Sequence, residues 1–183
     1  QLKTISTLDQ PFVQMTLGSH NYNRVVAAAS TEIENGTLLG ALEGLSNDGP
    51  WDREQNLKKQ NYLLKYTRGD ATNGWSVTAN HYDSKWDSTD QIAQRAIDEG
   101  LIGRFGTLDA TDGGETSRTS LAFEKIQKTD DHQTKFNLYG VHSKLNLFSN
   151  FSFYLTDAER GDQFEQAEDR YILGGGIEHS WLQ

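Results

Sequence analysis

The sequence predicts an all-β chain of about eight antiparallel meander strands that form a segment of a transmembrane β-barrel. Two observations predict this fold: apolar and polar residues alternate within the strand-like segments, and the connections alternate between short and long. Tight turns are predicted at residues 34–36, 70–73 and 129–132, and long polar loops at 47–59, 85–117 and 156–168. Because every second connection of a meander lies at the same end, the long loops gather at one end, as in bacterial outer-membrane barrels.

The first four predicted strands each carry apolar residues at alternate positions, and the positions between them are polar. Side chains of a strand point alternately to its two faces, so this pattern predicts one apolar face and one polar face. The apolar positions are Val13, Met15 and Leu17; Val25, Ala27, Ala29 and Ile33; Leu38 and Leu42; and Tyr62, Leu64 and Tyr66. An Asn-Gly pair at residues 35–36 predicts a tight hairpin between the second and third strands.

The last four predicted strands repeat the pattern. Their apolar positions are Trp75, Val77 and Ala79; Leu121 and Phe123; Tyr139, Val141, Leu145 and Leu147; and Tyr171, Leu173, Ile177 and Trp181. Eight strands of about ten residues suit a tilted bilayer crossing. The seventh is predicted to run from 134 to 155, so that Phe148, Phe151 and Phe153 lie above the membrane.

Isolated charges occupy the polar face, including Arg24, Glu43, Lys65 and Glu124. Such charges would need partners in a dry core, but a hydrated barrel lumen accommodates them. Aromatic residues near the strand ends predict two girdles, although aromatics also favour strands in general. The girdle residues are Tyr66, Trp75 and Trp181 at one level and Tyr22, Tyr62 and Tyr171 at the other.

The longest loop is predicted to contain a short helix. Ser88 and Gln91 have the spacing of a capping box, and Gly100 can end the helix. Ile92, Ala96 and Ile97 fall on one face, so we expect the loop to fold against another part of the chain.

The composition narrows the possible functions of the chain, but it does not exclude a membrane protein. Hydrophobic residues make up 35% of the chain, and no apolar run reaches the ~18 residues of a membrane helix. The net charge of −9 argues against nucleic acid as a partner. The chain has no cysteine, which is compatible with an oxidising envelope. It begins without Met and ends directly after a strand-like run, so we expect a piece of a longer protein.

No catalytic residue, cofactor or metal ligand is predicted, and we expect a protein that is not an enzyme. The five histidines, His20, His81, His132, His142 and His179, are scattered, and the serines lie in no nucleophile elbow. The glycines at 174–176 lie within a strand with no helix after them, so we expect them to relieve crowding or allow curvature rather than to bind phosphate. Acidic residues at 157–162, with Asp109 and Asp112, are either calcium ligands or solvated loop residues; none forms an EF-hand.

The long loops contain four aromatic residues that are candidate ligand-binding residues: Trp51, Trp86, Phe105 and Phe164. Exposed aromatic rings bind sugars and flat chelates. The alternative is that these rings pack one loop against another.

Several phrases of the sequence resemble those of TonB-dependent outer-membrane receptors. They are GSHNY at 18–22, DGPW at 48–51, WDSTDQ at 86–91, GLIGRFG at 100–106, TDGG at 111–114, LNLFSNF at 145–151 and GDQFEQ at 161–166. The resemblance extends from about residue 10 to the end of the chain.

The resemblance implies a barrel of about 22 strands, closed by an N-terminal plug domain and energised through the TonB protein. Residues 1–9 then correspond to the end of the plug or its linker, and 10–183 to part of the barrel. The implied partners are TonB, through the missing plug region, a small-molecule cargo and outer-membrane lipid. The cargo would be a metal chelate such as a siderophore, cobalamin or an oligosaccharide.

Two other interpretations remain open from the residues alone. One is a complete eight-stranded outer-membrane barrel that acts as an anchor or adhesin, since eight strands can close. The other is a soluble β-sandwich binding module. The receptor interpretation predicts that Val25, Leu42, Leu64, Val77 and Ile177 are not packed into a sealed interior.

Overall fold

A computed structural model describes residues 4–150, 155–159 and 161–181. Its elements are β1 (Phe12–Leu17), β2 (Asn23–Ile33), β3 (Gly36–Asn47), β4 (Leu57–Gly69), β5 (Asn73–Asp87), α1 (Gln94–Asp98), β6 (Gly113–Lys128), β7 (His132–Ser149) and β8 (Phe164–Trp181). The eight strands form one antiparallel sheet in sequence order, so the predicted all-β meander is confirmed. The sheet is open: β1 and β8 lie at its two edges and do not pair with each other. The larger barrel of about 22 strands stays a prediction.

The tight turns lie at one end of the sheet, and the long connections lie at the other end. Residues 34–35, 70–72 and 129–131 form the turn end. Residues 18–22, 48–56, 88–112 and 150–163 form the loop end, where only the first connection is short. The predicted separation of tight turns from long loops is therefore confirmed.

The first tight turn differs by one residue from the predicted Asn-Gly hairpin. Ile33 pairs with Gly36, so the two turn residues are Glu34 and Asn35, and Gly36 begins β3. A Cβ atom on Gly36 would lie 2.5 Å from the carbonyl oxygen of Thr67 and 2.6 Å from the Tyr66 hydroxyl. The glycine is thus required by the close approach of β4 rather than by the turn.

Four strands exceed the predicted length of about ten residues by half or more. β5 has 15 residues, β6 has 16, and β7 and β8 have 18 each. Since about 9–11 residues are enough to cross a bilayer, these strands are longer than a crossing requires. β7 ends at Ser149, and Leu155 lies outside the strand, contrary to the predicted run to 155. Phe151 and Phe153 lie outside the described residues.

The strand register separates the side chains into two faces. Cross-strand partners lie on the same face, and Ala27, Leu42 and Tyr62 form one such row. The face that contains this row, here called the apolar face, also carries Val25, Leu64, Val77, Phe123, Leu138, Leu173 and Ile177. Leu64 is 53% exposed and Ile177 is 73% exposed, so these residues form no sealed interior.

The opposite face, here called the polar face, carries Arg24, Glu43, Lys65 and Glu124, as predicted. It also includes side chains on β7 that the sequence pattern assigned to the apolar face. Tyr139 pairs with Ala122, and Val141 pairs with Ser120. Leu145 and Leu147 follow at alternate positions of β7 and therefore lie on the same face as Tyr139 and Val141. That assignment was wrong because the pairing of Leu138 with Phe123 fixes the register, which directs Phe136, Leu138 and Gly140 to the apolar face.

Gly174, one of the glycines predicted to lie within a strand, makes room for Tyr139 on the polar face. A Cβ atom on Gly174 would lie 2.5 Å from the ring of Tyr139, its cross-strand partner on the polar face. The prediction that the glycine run relieves crowding is therefore confirmed at Gly174.

Aromatic rings form two bands across the apolar face. Near the turn end, neighbouring rings lie 5.3–6.2 Å apart in the series Tyr66, Trp75, Phe123 and Phe136. Nearer the loop end, Tyr62 stacks on His81 and Tyr171 stacks on His142, all in one row of cross-strand partners. Tyr66 and Trp75, predicted to lie at one level, belong to the first band. Tyr62 and Tyr171, predicted to lie at the other level, belong to the second band.

Buried apolar side chains are few. Among the residues with described side chains, only Leu39, Ala96 and Val141 are buried and hydrophobic. The strands belong to one sheet, so the architecture is not a two-sheet sandwich. No helix in the described part of the chain has the length and apolar character needed to span a membrane.

Candidate functional site

The long loops contact one another at the loop end. Residues from 48–56 and 87–112, together with Ser149, Asn150 and Gln163, are joined by hydrogen bonds and one ion pair, and we call this region the loop junction. The main chain starts the connection: Asp52 N donates to the carbonyl of Phe105 at 3.0 Å, and Asp87 N donates to that of Gln55 at 2.7 Å. The two loops therefore form one folded surface.

The predicted helix lies in the longest loop, but its predicted cap is wrong. α1 begins at Gln94, after Ala93, and no side chain caps it. Ser88 instead approaches Asp90, with 3.5 Å between Oγ and Oδ1. Gly100 ends the helix as predicted: its φ is +72°, and the amides of Gly100 and Leu101 donate to Ile97 and Ala96. Ala96 is buried, so the loop folds inward at this point.

Arg53 connects the first two loops of the loop junction. Its guanidinium donates to the carbonyl oxygens of Asp112 at 3.2 Å and Ser88 at 3.4 Å. It also pairs with the Asp87 carboxylate at 3.1 Å. One side chain thus ties residues 48–56 to both ends of the loop between β5 and β6.

The end of β7 is enclosed by three carboxylates of that same loop. Asn150 N donates to Asp90 Oδ2 and Asn150 Nδ2 donates to Asp109 Oδ2, both at 3.1 Å. The Ser149 hydroxyl also bonds to Asp90. Asp112 accepts a 3.0 Å hydrogen bond from Gln163, just before β8, and is only 2% exposed.

The two deeper carboxylates have opposite pKa shifts. Burial raises the pKa of Asp112; a hydrogen bond from Gln163 opposes this, and the negative charges of Asp109 and Asp90 add to it. Burial also acts to raise the pKa of Asp109, but hydrogen bonds from Thr111 and Asn150 outweigh it, so that pKa lies below the ordinary value. The predicted alternative of solvated acidic residues is thus wrong for Asp112.

The four candidate aromatics do not form one platform. Trp51 and Phe105 come together, with ring centroids 6.1 Å apart, and the pair joins two loops. Trp86 lies in β5 opposite Gly114, where a Cβ atom would be 3.0 Å from its ring. Phe164 opens β8 opposite Ser149. Loop packing therefore explains the Trp51–Phe105 contact, and ligand contact by the four rings stays a prediction.

A hollow of about 470 Å³ lies along β2 to β6. It is lined by polar-face residues, among them Arg24, Glu43 and Arg118, and by Leu42, Tyr62 and His81 of the apolar face. Glu43 accepts from Arg24 at 2.6 Å and pairs with Lys59 at 3.3 Å. Asn61 donates to the same carboxylate. Two of the charges predicted to face water, Arg24 and Glu43, therefore belong to a network that also includes Lys59 and Asn61.

The segment before β1 crosses the polar face. Lys65 Nζ donates to the carbonyl of Thr4 at 2.9 Å and to its hydroxyl at 3.1 Å, and only 6% of Lys65 is exposed. Thr67 bonds to Ser6 at 3.2 Å. Leu8 N donates to the Ser30 hydroxyl at 2.9 Å. Residues 4–8 therefore cover β2 and β4 on their charged side.

The other acidic loop residues and the histidines form no compact metal centre. Asp162 accepts the amides of Thr156 and Asp157 at 2.9 and 2.8 Å, so it shapes its own loop. Within the described ranges, no group of three or more His, Cys, Asp or Glu side chains has the spacing to hold a metal ion.

The sequence alone did not identify Arg53, Asp90, Asn150 or Gln163 as parts of a site. Their contacts join residues 35–60 positions apart, and although Asp90, Asn150 and Gln163 lie in phrases that carry the resemblance, those phrases do not show that the three residues meet. Comparisons with protein-family models, with curated proteins and with solved structures found no match to this chain.

Proposed function

We propose that this chain is the N-terminal part of the barrel of a TonB-dependent receptor in the bacterial outer membrane. The observation that carries the proposal is the contrast between the faces of one open sheet. Leu64, Leu138 and Ile177 stay exposed on the apolar face, while Glu43 and its partners are linked on the polar face. A sheet with one uncovered apolar face and one polar face suits a wall between lipid and water.

The open edges agree with a partial barrel. β1 and β8 each leave one side of the strand without a partner in the sheet. Unpaired backbone groups are costly in lipid, at several kcal/mol each. In the proposed receptor, further strands of the same protein pair with both edges and close the barrel.

The course of residues 4–8 supports a plug. These residues lie on the polar face, which would be the lumen, and Lys65 holds them there. A chain that enters the barrel wall from the lumen side is compatible with a preceding domain inside the barrel. Contact with TonB would be made through that domain.

The loop junction supports a role in ligand capture. It is a folded surface of three loops at one end of the sheet. We propose that a scarce ligand enters here for active uptake: a siderophore or other metal chelate, cobalamin or an oligosaccharide. Transport of this kind requires binding and gating rather than the breaking of a bond.

A matched pair of substitutions tests the membrane part of the proposal. Leu138 and Asn137 are adjacent in β7, both exposed, and point to opposite faces. In the intact protein, Leu138→Arg should cost about 2–4 kcal/mol of folding free energy in a bilayer, because the charge meets hydrocarbon. Asn137→Arg should be nearly neutral, because it lies opposite Glu124. Equal losses measured by denaturant unfolding in vesicles would contradict the proposal.

Uptake tests the functional part. A strain that lacks the intact gene should fail to grow on one of the three ligand classes as limiting nutrient, and loss of TonB should give the same defect. If both mutant strains grew normally on all three ligand classes, active uptake by this protein would be excluded. The membrane placement would then still depend on the separate test with Leu138 and Asn137.

A further inference from the structure

Two basic residues border the apolar face near the turn end. Arg68, Trp75 and Lys125 are cross-strand neighbours in one row of that face, and Trp75 lies between the two cations. We call these three residues the basic row. The next row toward the loop end carries no charge and consists of Leu38, Tyr66, Val77, Phe123 and Leu138. The two positive charges therefore lie where the uncharged part of the apolar face ends.

The cations of the basic row have no acidic partner among the described residues. Arg68 and Lys125 are exposed, and neither forms an ion pair there. Lys135, at the same level of the polar face, differs because it pairs with Glu178 at 3.5 Å. Asp70, in the adjoining turn, accepts hydrogen bonds from within that turn. The row beyond the basic row is polar without a carboxylate and consists of Asn73, Gln127, Thr134 and His179.

A hollow of about 780 Å³ lies farther along the sheet, between β1 and β6. A Cβ atom on Gly40, in its lining, would meet no atom within 4 Å, so the main chain is uncovered there. Leu64 and Ala79 also line the hollow, four residues along their strands from Arg68 and Trp75. Most of the lining belongs to the apolar face. Residues with polar-face positions also contribute, namely Phe12, Ala28, Ala41, Leu63 and Asn80.

The basic row and the hollow are spaced as the two parts of a lipid are. Four residues of a strand span about 13 Å. One leaflet contributes about 15 Å to the hydrocarbon core of a bilayer. A lipid whose headgroup lies at Arg68 would therefore have an acyl chain that reaches the hollow beside Leu64.

The chemistry of the basic row selects an anionic headgroup. Basic side chains at a membrane surface attract anionic lipids, and tryptophan favours the boundary between hydrocarbon and headgroups. Arg68 and Lys125 are about 10 Å apart across two strand spacings, and both have long side chains that can approach one phosphate above Trp75.

We propose that the basic row binds the phosphate of an anionic glycerophospholipid in the leaflet at the turn end. The proposal rests on the membrane placement proposed above and adds a preference for one class of lipid at one position. The two cations, which lack an acidic partner in the described part of the chain, then share the negative charge of the headgroup. The hollow receives an acyl chain of the same molecule.

Tryptophan fluorescence of the intact protein in phosphatidylcholine vesicles tests the proposal. The contribution of Trp75 is the emission that is lost in Trp75→Phe. Its quenching by brominated phosphatidylglycerol, which is anionic, is compared with its quenching by brominated phosphatidylcholine, which has no net charge. We expect the anionic lipid to associate about fivefold more strongly, as one basic residue at a membrane surface produces. Added salt should reduce the preference, because it screens exposed charges.

Matched substitutions assign the preference to the basic row. Arg68→Gln combined with Lys125→Gln should abolish the preference for phosphatidylglycerol and leave quenching by phosphatidylcholine unchanged. Arg68→Lys, which keeps the charge, should retain the preference. Lys135→Gln removes a positive charge at the same level of the polar face, and it should also retain the preference.

The possible failures are distinguishable. Equal quenching of native Trp75 by the two lipids would overturn the headgroup site and still agree with the membrane placement. Quenching by neither lipid would contradict both, because the apolar face would then be covered by protein or exposed to water. A preference that survives the double substitution, or that salt leaves unchanged, would also overturn the site. The salt series on the native protein decides if the doubly substituted protein does not fold.

Discussion

The two ends of the sheet are held together in different ways. At the turn end, Asp70 Oδ1 accepts the amides of Thr72 at 2.7 Å and Asn73 at 2.8 Å, and the Thr129 amide donates to the His132 carbonyl at 2.8 Å. These contacts span two or three residues. At the loop end, Arg53 and Asn150 contact residues 35–60 positions away. Local contacts shape the turns, whereas long-range polar contacts shape the surface proposed to bind ligand.

This difference predicts unequal sensitivity to substitution. A change at the turn end should alter one hairpin. A change in the loop junction should loosen several loops at once, because each of its polar groups serves more than one partner. Three experiments, in order of expected effect, test the contrast.

The largest effect is expected for Arg53→Ala. The substitution removes the ion pair with Asp87 and leaves the carbonyls of Ser88 and Asp112 without their donor. The local free energy of opening of residues 88–112 should fall by about 1–3 kcal/mol. Amide hydrogen exchange measures it. Arg104→Ala, at an exposed arginine of the same loop, should change exchange little; equal effects of the two would mean that Arg53 does not join the loops.

The next effect is a pH dependence of the loop junction. The pKa of Asp112 is raised, so the folded junction favours its protonated form. The stabilisation from this group is complete below its ordinary pKa and is lost as pH rises through the raised value. Asp109, whose pKa is lowered, acts in the opposite direction. Asp112→Asn should remove the loss with rising pH in an exchange series. If the pH dependence of exchange were the same in the Asp112→Asn variant, protonation of Asp112 would not stabilise the loop junction.

The smallest effect is expected at the turn end for Asp70→Ala. A hydrogen bond from the Thr72 hydroxyl, with the amides of Asn73 and Thr72, lowers the pKa of this exposed carboxyl. Its stabilisation is present above the ordinary aspartate pKa and is lost as pH falls through the lowered value. The variant should speed exchange only around residues 70–73. Faster exchange in residues 88–112 would contradict the separation of the two ends.

The same contrast explains which parts of the molecule were predictable. Period-two alternation and turn residues are local signals, and they predicted the eight strands and their meander order. The face of β7 was mispredicted because Tyr139, Val141 and Leu145 alternate as well as Phe136 and Leu138 do. Only pairing with β6 distinguishes the two sets. When both faces of a strand carry apolar residues, the alternation with period two is still visible in the sequence. It no longer shows, however, which set of residues lies on the apolar face of the sheet.

The loop junction was less predictable for a related reason. The spacing of Ser88 and Gln91 matched a capping box, but the helix begins at Gln94 and Ser88 approaches Asp90 instead. The fold of this loop depends on Asn150 and Gln163, which a local motif cannot include. Gly100, by contrast, ends α1 through contacts within one turn, and it was predicted correctly.

The central claim is that one face of this sheet meets hydrocarbon and the other meets water. These 183 residues contain no cysteine, so single Cys substitutions along β7 can carry a spin label once any cysteine elsewhere in the intact protein is replaced by Ser. The intact protein in lipid vesicles is then examined by electron paramagnetic resonance, with oxygen as the apolar relaxant and a nickel chelate as the polar one. Phe136→Cys, Leu138→Cys and Gly140→Cys should respond to oxygen, and Lys135→Cys, Asn137→Cys and Tyr139→Cys to the nickel chelate. Equal responses at odd and even positions, or shielding of the even positions from both relaxants, would contradict the account.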